Sequence, residues 1–534
     1  MAIKRYEANK DTTITNAYKM DLVTRATASN MGQADVLEAF SIYAQQSSSS
    51  LESSRILIEF PIDQVLTDRS ASLLPESGLV SWKLKLYNAK HSQTVPRNLI
   101  LNISAVSQSW NEGSGLDLEE YSDTGACNWV TASVEVNVNA YNVPTQWSSS
   151  GGVYVTSSLD LPPISGKIWT DYVKDVTLER GIEDISVDVT DLVEAWIKYE
   201  DVQGAAPASI ENRKSNLTSH YALKNYGFGI RVTSSQENAD RSYYTKKFFS
   251  RGTQFFYKKP ILEAVWDSSL SDDSSNFYLS SSLAEGENLN RIYLYNFVRG
   301  KLRNIPAIGT GKIGVSIYSG SSDNTSIALS SNPIGLPQWP NLSHMDATTI
   351  TGSFVSTGIY SASFAYTSSN ITTIFPVWKD LGLTSANTEY HTGSAIKVKT
   401  FESLDYVPNA EYYCKITNLK DSYDIKETPR LRLYTREKNW SPTIYTRASE
   451  EIENTLIERA YYKVTREADN LTVVSYGTGS NENNFSKLSY DASGSYFDLD
   501  MSLFEPGYMY SIKFLFDVDG YKKEQPESFK FRVE

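Results

Sequence analysis

Apolar residues that recur at every second position constrain this chain more than any other feature. In "SSRILIEFPI" the alternate residues Ile56, Ile58 and Phe60 share one face of an extended segment, and Pro61 stands where it would end. "GLVSWKLKLYNAK" repeats the pattern with Val80, Trp82, Leu84 and Leu86, and "NLILNISAVSQSW" and "SVEVNVNAY" continue it. Strand side chains alternate between two faces, so the spacing predicts half-buried strands joined by polar turns. One segment breaks the rhythm. After a strand through Val187, Asp188 or Thr190 can cap a short helix that turns Leu192, Val193 and Trp196 to the core.

The aromatic content points the same way, because 35 Tyr against 20 Phe and 10 Trp, set among Ser, Thr and Val, favours strands over helices. At 534 residues the chain exceeds what one core serves, so two to four domains are expected. Residues 1–50 mix Thr-rich polar stretches with one short apolar patch and read as an extended arm that packs on a neighbour. Residues 51–268 form the first domain. The Ser/Asp-rich "DSSLSDDSSNF" at 267–277 reads as a linker, residues 277–402 as a second β-rich domain, and residues 403–534 as a third. In the third, "SLFEPGYMYSIKFLF" leads from a Pro-Gly turn into a strand with Ile512, Phe514 and Phe516 on one face, as in an Ig-like sandwich. The expected fold is all-β: three β-sandwich domains, jelly-roll or Ig-like, in series behind the arm. No solenoid or propeller repeat is visible.

A net charge of −13 with scattered lysine and arginine argues against a nucleic-acid surface. Cys127 and Cys414 are too few and too separated for a zinc site, and two free buried thiols are expected rather than a bridge. The opening "MAIKRYEANKDTTITNAYKMDL" lacks the apolar core of a signal peptide, and no run of about 18 apolar residues occurs to span a bilayer. The expectation is a soluble chain with no membrane insertion, assembled in the cytoplasm of a cell and released from it by lysis.

The stretch that most suggests catalysis or metal binding is "SWNEGSGLDLEEYSDTGACNW", residues 109–129, where Glu112, Asp117, Glu119, Glu120 and Asp123 crowd among three glycines. A carboxylate pair could serve acid–base chemistry, and several oxygens could hold calcium, but the Asp-x-Asp-x-Asp-Gly spacing is absent. On the residues alone, a catalytic pair, an ion site and a structural loop all stay open. His91, His220, His344 and His391 fall singly, with no HExxH, and read as surface residues. "GTGKIG" at 309–314 lacks the Walker spacing and reads as a turn beside a strand, and no Gly-x-Ser-x-Gly occurs. No catalytic residue, metal ligand or cofactor is assigned. Trp147, Trp169, Tyr243 and Tyr244 are candidate aromatics for a subunit interface or for stacking on sugar rings, with the interface favoured.

In order along the chain, the motifs of residues 50–268 resemble the disaggregatase-related, DNRLRE-type β-sandwich, a jelly-roll-like module also likened to carbohydrate-binding modules. The matching pieces are "SRILIEFPI" at 54–62, "SWKLKLY" at 81–87, "SQSWNEGSG" at 107–115, Trp147 with Gly151 and Gly152, "VDVTDLVEAW" at 187–196, "YGFGIRV" at 226–232, and "FFSRG" through "KKPILEAVW" at 248–266. Lys259 stands where an arginine before the proline is commoner. The resemblance implies that Trp110 is core and that Glu112 structures its loop. The opening "KRYEANKDTTITNAYK" with "TRATASNMGQADVLEAFSIYAQ" looks like the start of structural proteins from tailed phages. That likeness implies a non-enzymatic virion component of the neck, collar or tail, assembled with other virion proteins as a symmetric homo-oligomer. The alternative is a carbohydrate-binding adhesin or receptor-binding tail component that takes a host surface glycan.

Overall fold

In the computed structural model, described over residues 2–92, 96–121, 126–135, 143–155, 172–203, 223–280, 289–322, 327–330, 332–337, 347–381, 388–400, 410–438, 454–478, 484–518 and 520–534, β-strands dominate and the all-β expectation holds. The chain divides into two compact units, Ala2–Trp266 and Asp267–Glu534.

In the first unit the strands are β1 (Ile3–Glu7), β2 (Lys10–Thr15), β3 (Val36–Tyr43), β4 (Leu51–Glu59), β5 (Ser81–Leu86), β6 (Leu99–Ala105) and β7 (Thr131–Glu135). They continue with β8 (Val143–Gln146), β9 (Lys174–Leu178), β10 (Ile185–Asp188), β11 (Phe228–Val232), β12 (Tyr243–Phe249) and β13 (Ile261–Val265). Two large antiparallel sheets result, and β7 pairs with β8 in a separate two-stranded ribbon. One has the order β1-β13-β5-β10; the other runs β12-β3-β4-β11-β6-β9, with β2 also paired to β4. Their facing sides share one core: Trp82, Leu84, Leu86, Leu262 and Ala264 from the first, and Ile56, Ile58, Leu101, Ile103, Phe228 and Ile230 from the second.

The arm expected over residues 1–50 is instead part of both sheets. Ile3–Glu7 pairs with β13, from Ile3 opposite Val265 to Glu7 opposite Ile261, and Lys10–Thr15 pairs with β4. Val36–Tyr43 lies between β4 and β12. The segment hid its strands because Thr12, Thr13 and Thr15 are buried polar residues whose hydroxyls find partners inside the fold. Thr15 Oγ1 donates to the Ser53 carbonyl at 2.9 Å, and Thr13 Oγ1 accepts the Glu38 N–H at 3.0 Å. A buried hydroxyl so paired costs little, and the β-branched stem suits a strand.

Helix α2 (Thr190–Gln203) stands where the sequence placed it, with Leu192, Val193 and Trp196 buried. Asp188 Oδ1 accepts the Thr190 N–H at 2.9 Å at its start. A second helix, α1 (Ile62–Ser70), begins directly after Pro61. Proline's fixed φ suits a helix entry, so the residue taken as a strand terminator also starts a helix. Arg69 of α1 reaches Glu194 of α2 with both terminal nitrogens, at 3.0 and 2.6 Å, and the same carboxylate accepts Trp82 Nε1 at 2.9 Å. Glu194 thereby ties both helices to the core strand β5.

Strand β4 is buried on both faces rather than one. Ile56 and Ile58 enter the inner core, while Leu57 points the other way into a second cluster with Ile14, Val106, Trp110, Cys127, Trp129, Ala132, Trp147 and Tyr154. The described residues between 106 and 155 therefore roof the larger sheet, and the acidic loop as far as Tyr121 belongs to that roof.

In the second unit an eight-stranded antiparallel sheet is built on Asn290–Tyr295, Ile313–Ser322, Ile350–Ser356, Ile359–Phe364 and Thr373–Lys379, over a core that includes Phe277, Ile317, Tyr360 and Trp378. "GTGKIG" is the turn leading into Ile313–Ser322, as expected. Two further sheets follow, and Ile512, Phe514 and Phe516 are all buried. Residues 267–277 are not a slack linker. Leu270 N–H donates to Ser489 Oγ at 3.0 Å, the Tyr490 hydroxyl to Asp273 at 2.9 Å, and Phe277 is fully buried.

Candidate functional site: the acidic loop and the turn it holds

Glycines set the path of the 109–121 loop, and one asparagine holds it. Asn30 is fully buried and uses its whole amide. Its Nδ2 donates to the carbonyls of Glu112 and Cys127, both at 2.8 Å, and its Oδ1 accepts the N–H groups of Gly32 at 3.1 Å and Gly115 at 2.8 Å. Gly115 must be glycine here. A Cβ on it would lie 1.9 Å from the Asn30 carbonyl oxygen, and backbone cannot yield that far.

Glu112, the landmark of the loop, faces inward. Its Oε1 accepts the Asp11 N–H at 2.8 Å and Arg251 Nε at 2.7 Å, and its Oε2 accepts Arg251 Nη2 at 2.5 Å. Asp11 closes the group by accepting the Arg251 N–H at 2.6 Å. Burial pushes the Asp11 carboxyl up to about 7, and the Glu112 charge adds to the rise. The two-pronged ion pair raises the pKa of Arg251 further above its ordinary value. These three side chains therefore lock β2, the loop and the chain after β12 together.

The remaining carboxylates organise backbone. Asp117 Oδ1 accepts the N–H groups of Glu119 and Glu120, at 2.9 and 3.0 Å, in a local turn. Glu119 reaches a neighbouring turn at residues 18–25: its Oε1 accepts the Met20 N–H at 2.8 Å, and its carbonyl accepts Lys19 Nζ at 2.5 Å. Asp123 lies outside the described residues. Among the described residues no cluster of His, Cys, Asp or Glu is arranged to hold a metal ion.

The candidate aromatics separate. Trp147 is 5 % exposed and donates Nε1 to the Asn128 carbonyl at 2.9 Å, so it is a core residue of the roof and offers no open ring face. Tyr243 is half-buried against the inner core, and Tyr244 is exposed. Trp169 lies outside the described residues, as do His220 and His344. Cys127 and Cys414 are both free and buried.

No protein-family model matches the chain, and no curated protein matches it. The site therefore rests on its own geometry. Sequence reasoning found Glu112 and missed its partners Asp11, Asn30 and Arg251, because no spacing ties residues so far apart in the chain to the loop.

Proposed function

We propose that this chain is a non-enzymatic structural component of a tailed-phage virion, of its neck, collar or tail. Its β-sandwich domains, jelly-roll-like in the first half and Ig-like at the C-terminus, join other virion proteins, and further copies of the chain, through protein–protein interfaces. The observation that carries the reading is the use of Glu112. The most suggestive catalytic carboxylate in the sequence is committed to Arg251 and to the Asp11 N–H, and the one carboxyl grouped with it, that of Asp11, is buried and accepts the Arg251 N–H, so the pair is spent on holding the fold together. The resemblance of the opening residues to tailed-phage structural proteins supplies the setting. The carbohydrate-binding alternative loses one of its platforms, since Trp147 is buried.

Electron microscopy of purified particles carrying a C-terminal label tests the proposal. Label at a position repeated by the particle's symmetry is expected; particles that lack the chain altogether would overturn it.

A further inference from the structure

We propose that the turn at residues 18–25 is an interface anchor whose Met20, Leu22 and Val23 enter an apolar socket, rimmed by lysine or arginine, on a different protein of the same particle. The inference rests on the structural role proposed above and names the kind of partner that role requires.

Three large aliphatic side chains stand open to water on one short turn: Met20 is 87 % exposed, Val23 80 % and Leu22 42 %. On the loop that Glu119 joins to the turn, Leu116 is 50 % exposed and Tyr121 38 %, so that loop too carries apolar side chains open to water. Single exposed apolar residues are ordinary, but a group of them on one projection marks a contact surface.

The projection is built to keep its shape. Lys19 N–H donates to the Thr24 carbonyl at 2.8 Å, Leu22 N–H to the Lys19 carbonyl at 2.9 Å, and Asp21 Oδ1 accepts the N–H groups of Val23 and Thr24 at 2.9 and 2.8 Å. Leu22 sits at φ +52°, in the left-handed region that a bulky residue seldom adopts. From beneath, Glu119 holds Met20 N–H and Lys19 Nζ, and the Arg25 guanidinium lies 4.3 Å over the Tyr18 ring. A turn already fixed in its bound shape loses little freedom on docking.

Charge selects the partner. Asp21 on the turn itself, and Asp117 and Glu120 on the loop that Glu119 joins to it, are exposed. The cations of the region are turned inward: Lys19 donates to the Glu119 carbonyl, and Arg25 to the carbonyls of Asn16 and Leu51. An acidic rim around aliphatic anchors complements a basic rim around an apolar socket. A second copy meeting this turn face to face would set like charges against each other, so a self-complementary contact is disfavoured.

The test installs a photo-crosslinking p-benzoylphenylalanine at Val23, and at the exposed Tyr521 as control, in chains assembled into particles. Beside it, the double variant M20S/V23S, with serines at two solvent-exposed positions, is scored for loading into particles and for an unchanged melting profile. The proposal expects one adduct from position 23, absent from position 521, whose crosslinked peptide carries apolar residues beside lysine or arginine. It also expects loading of M20S/V23S to fall by about tenfold, as for two anchor residues. A wild-type chain absent from particles would overturn the structural reading and this inference with it. A wild-type chain that is present, with no adduct from Val23 and full loading of the variant, would overturn the anchor alone. An adduct only with another copy of the chain would also overturn the choice of partner.

Discussion

Arg251 and Glu112 meet side-on, with Nε to Oε1 at 2.7 Å and Nη2 to Oε2 at 2.5 Å, across 139 positions of sequence. A bidentate pair of this kind fixes orientation as well as distance. It joins the strand edge at Asp11 to the roof of the larger sheet, so it should behave as a clasp. Glu112→Ala should lower stability by about 2–3 kcal/mol, because Arg251 and the Asp11 N–H both lose their acceptor. Glu112→Gln keeps an acceptor for that N–H and should cost roughly half as much. Urea unfolding of the full chain reads both; an unchanged midpoint for Glu112→Ala would remove the clasp from the account.

Asp11 gives the clasp a pH dependence of known sign. Burial, then the Glu112 charge, hold its folded pKa at about 7 against an ordinary 3.8, with the Arg251 N–H and guanidinium opposing the rise. Between those values the folded chain keeps a proton that the unfolded chain releases. This contribution to stability is complete below the unfolded pKa and is lost as pH rises through about 7. Asp11→Asn stays neutral throughout. Its stability relative to wild type should therefore climb from about pH 4 to 7 and then level off, as read from unfolding midpoints across that range. A difference that stays flat with pH contradicts the assignment.

Asn30 separates hydrogen-bond chemistry from shape. Asparagine and aspartate occupy nearly the same volume, but aspartate would turn an acceptor toward the Glu112 and Cys127 carbonyls that now receive Nδ2–H. Asn30→Asp should therefore destabilise by about 3 kcal/mol, close to the cost of Asn30→Ala. Calorimetric melting decides it; a mild effect of Asn30→Asp would mean the loop is held by packing instead.

Trp147 and Tyr244 should part company under substitution. Trp147→Ala removes a buried indole and its bond to the Asn128 carbonyl, and should cost about 3–5 kcal/mol. Tyr244→Ala, on an exposed ring, should stay within about 0.5 kcal/mol. Equal melting temperatures for the two variants would return Trp147 to the surface.

The strands that alternate apolar and polar residues were legible in the sequence, since Ile56, Ile58, Leu84, Leu86, Phe514 and Phe516 need only a period of two to declare their faces. The helix at Thr190–Gln203 was legible from its change of period. What escaped were features whose logic lies in contact rather than in spacing. Thr12, Thr13 and Thr15 read as a polar arm until their partners on β3 and β4 are seen, and Leu57 reads as the solvent side of β4 until Trp110 and Trp129 cover it. The same holds for the loop. Its carboxylates announce themselves, yet Arg251 and Asn30, the residues that decide what those carboxylates do, stand 139 and 82 positions away from Glu112.

The proposed role meets its most direct test in the protein content of gradient-purified particles, counted per particle by quantitative mass spectrometry before and after a high-salt wash. The account predicts a fixed copy number, a whole multiple of the symmetry at the attachment point, that survives the wash. A chain recovered only from the soluble fraction, or at a copy number that drifts with expression level, would contradict it.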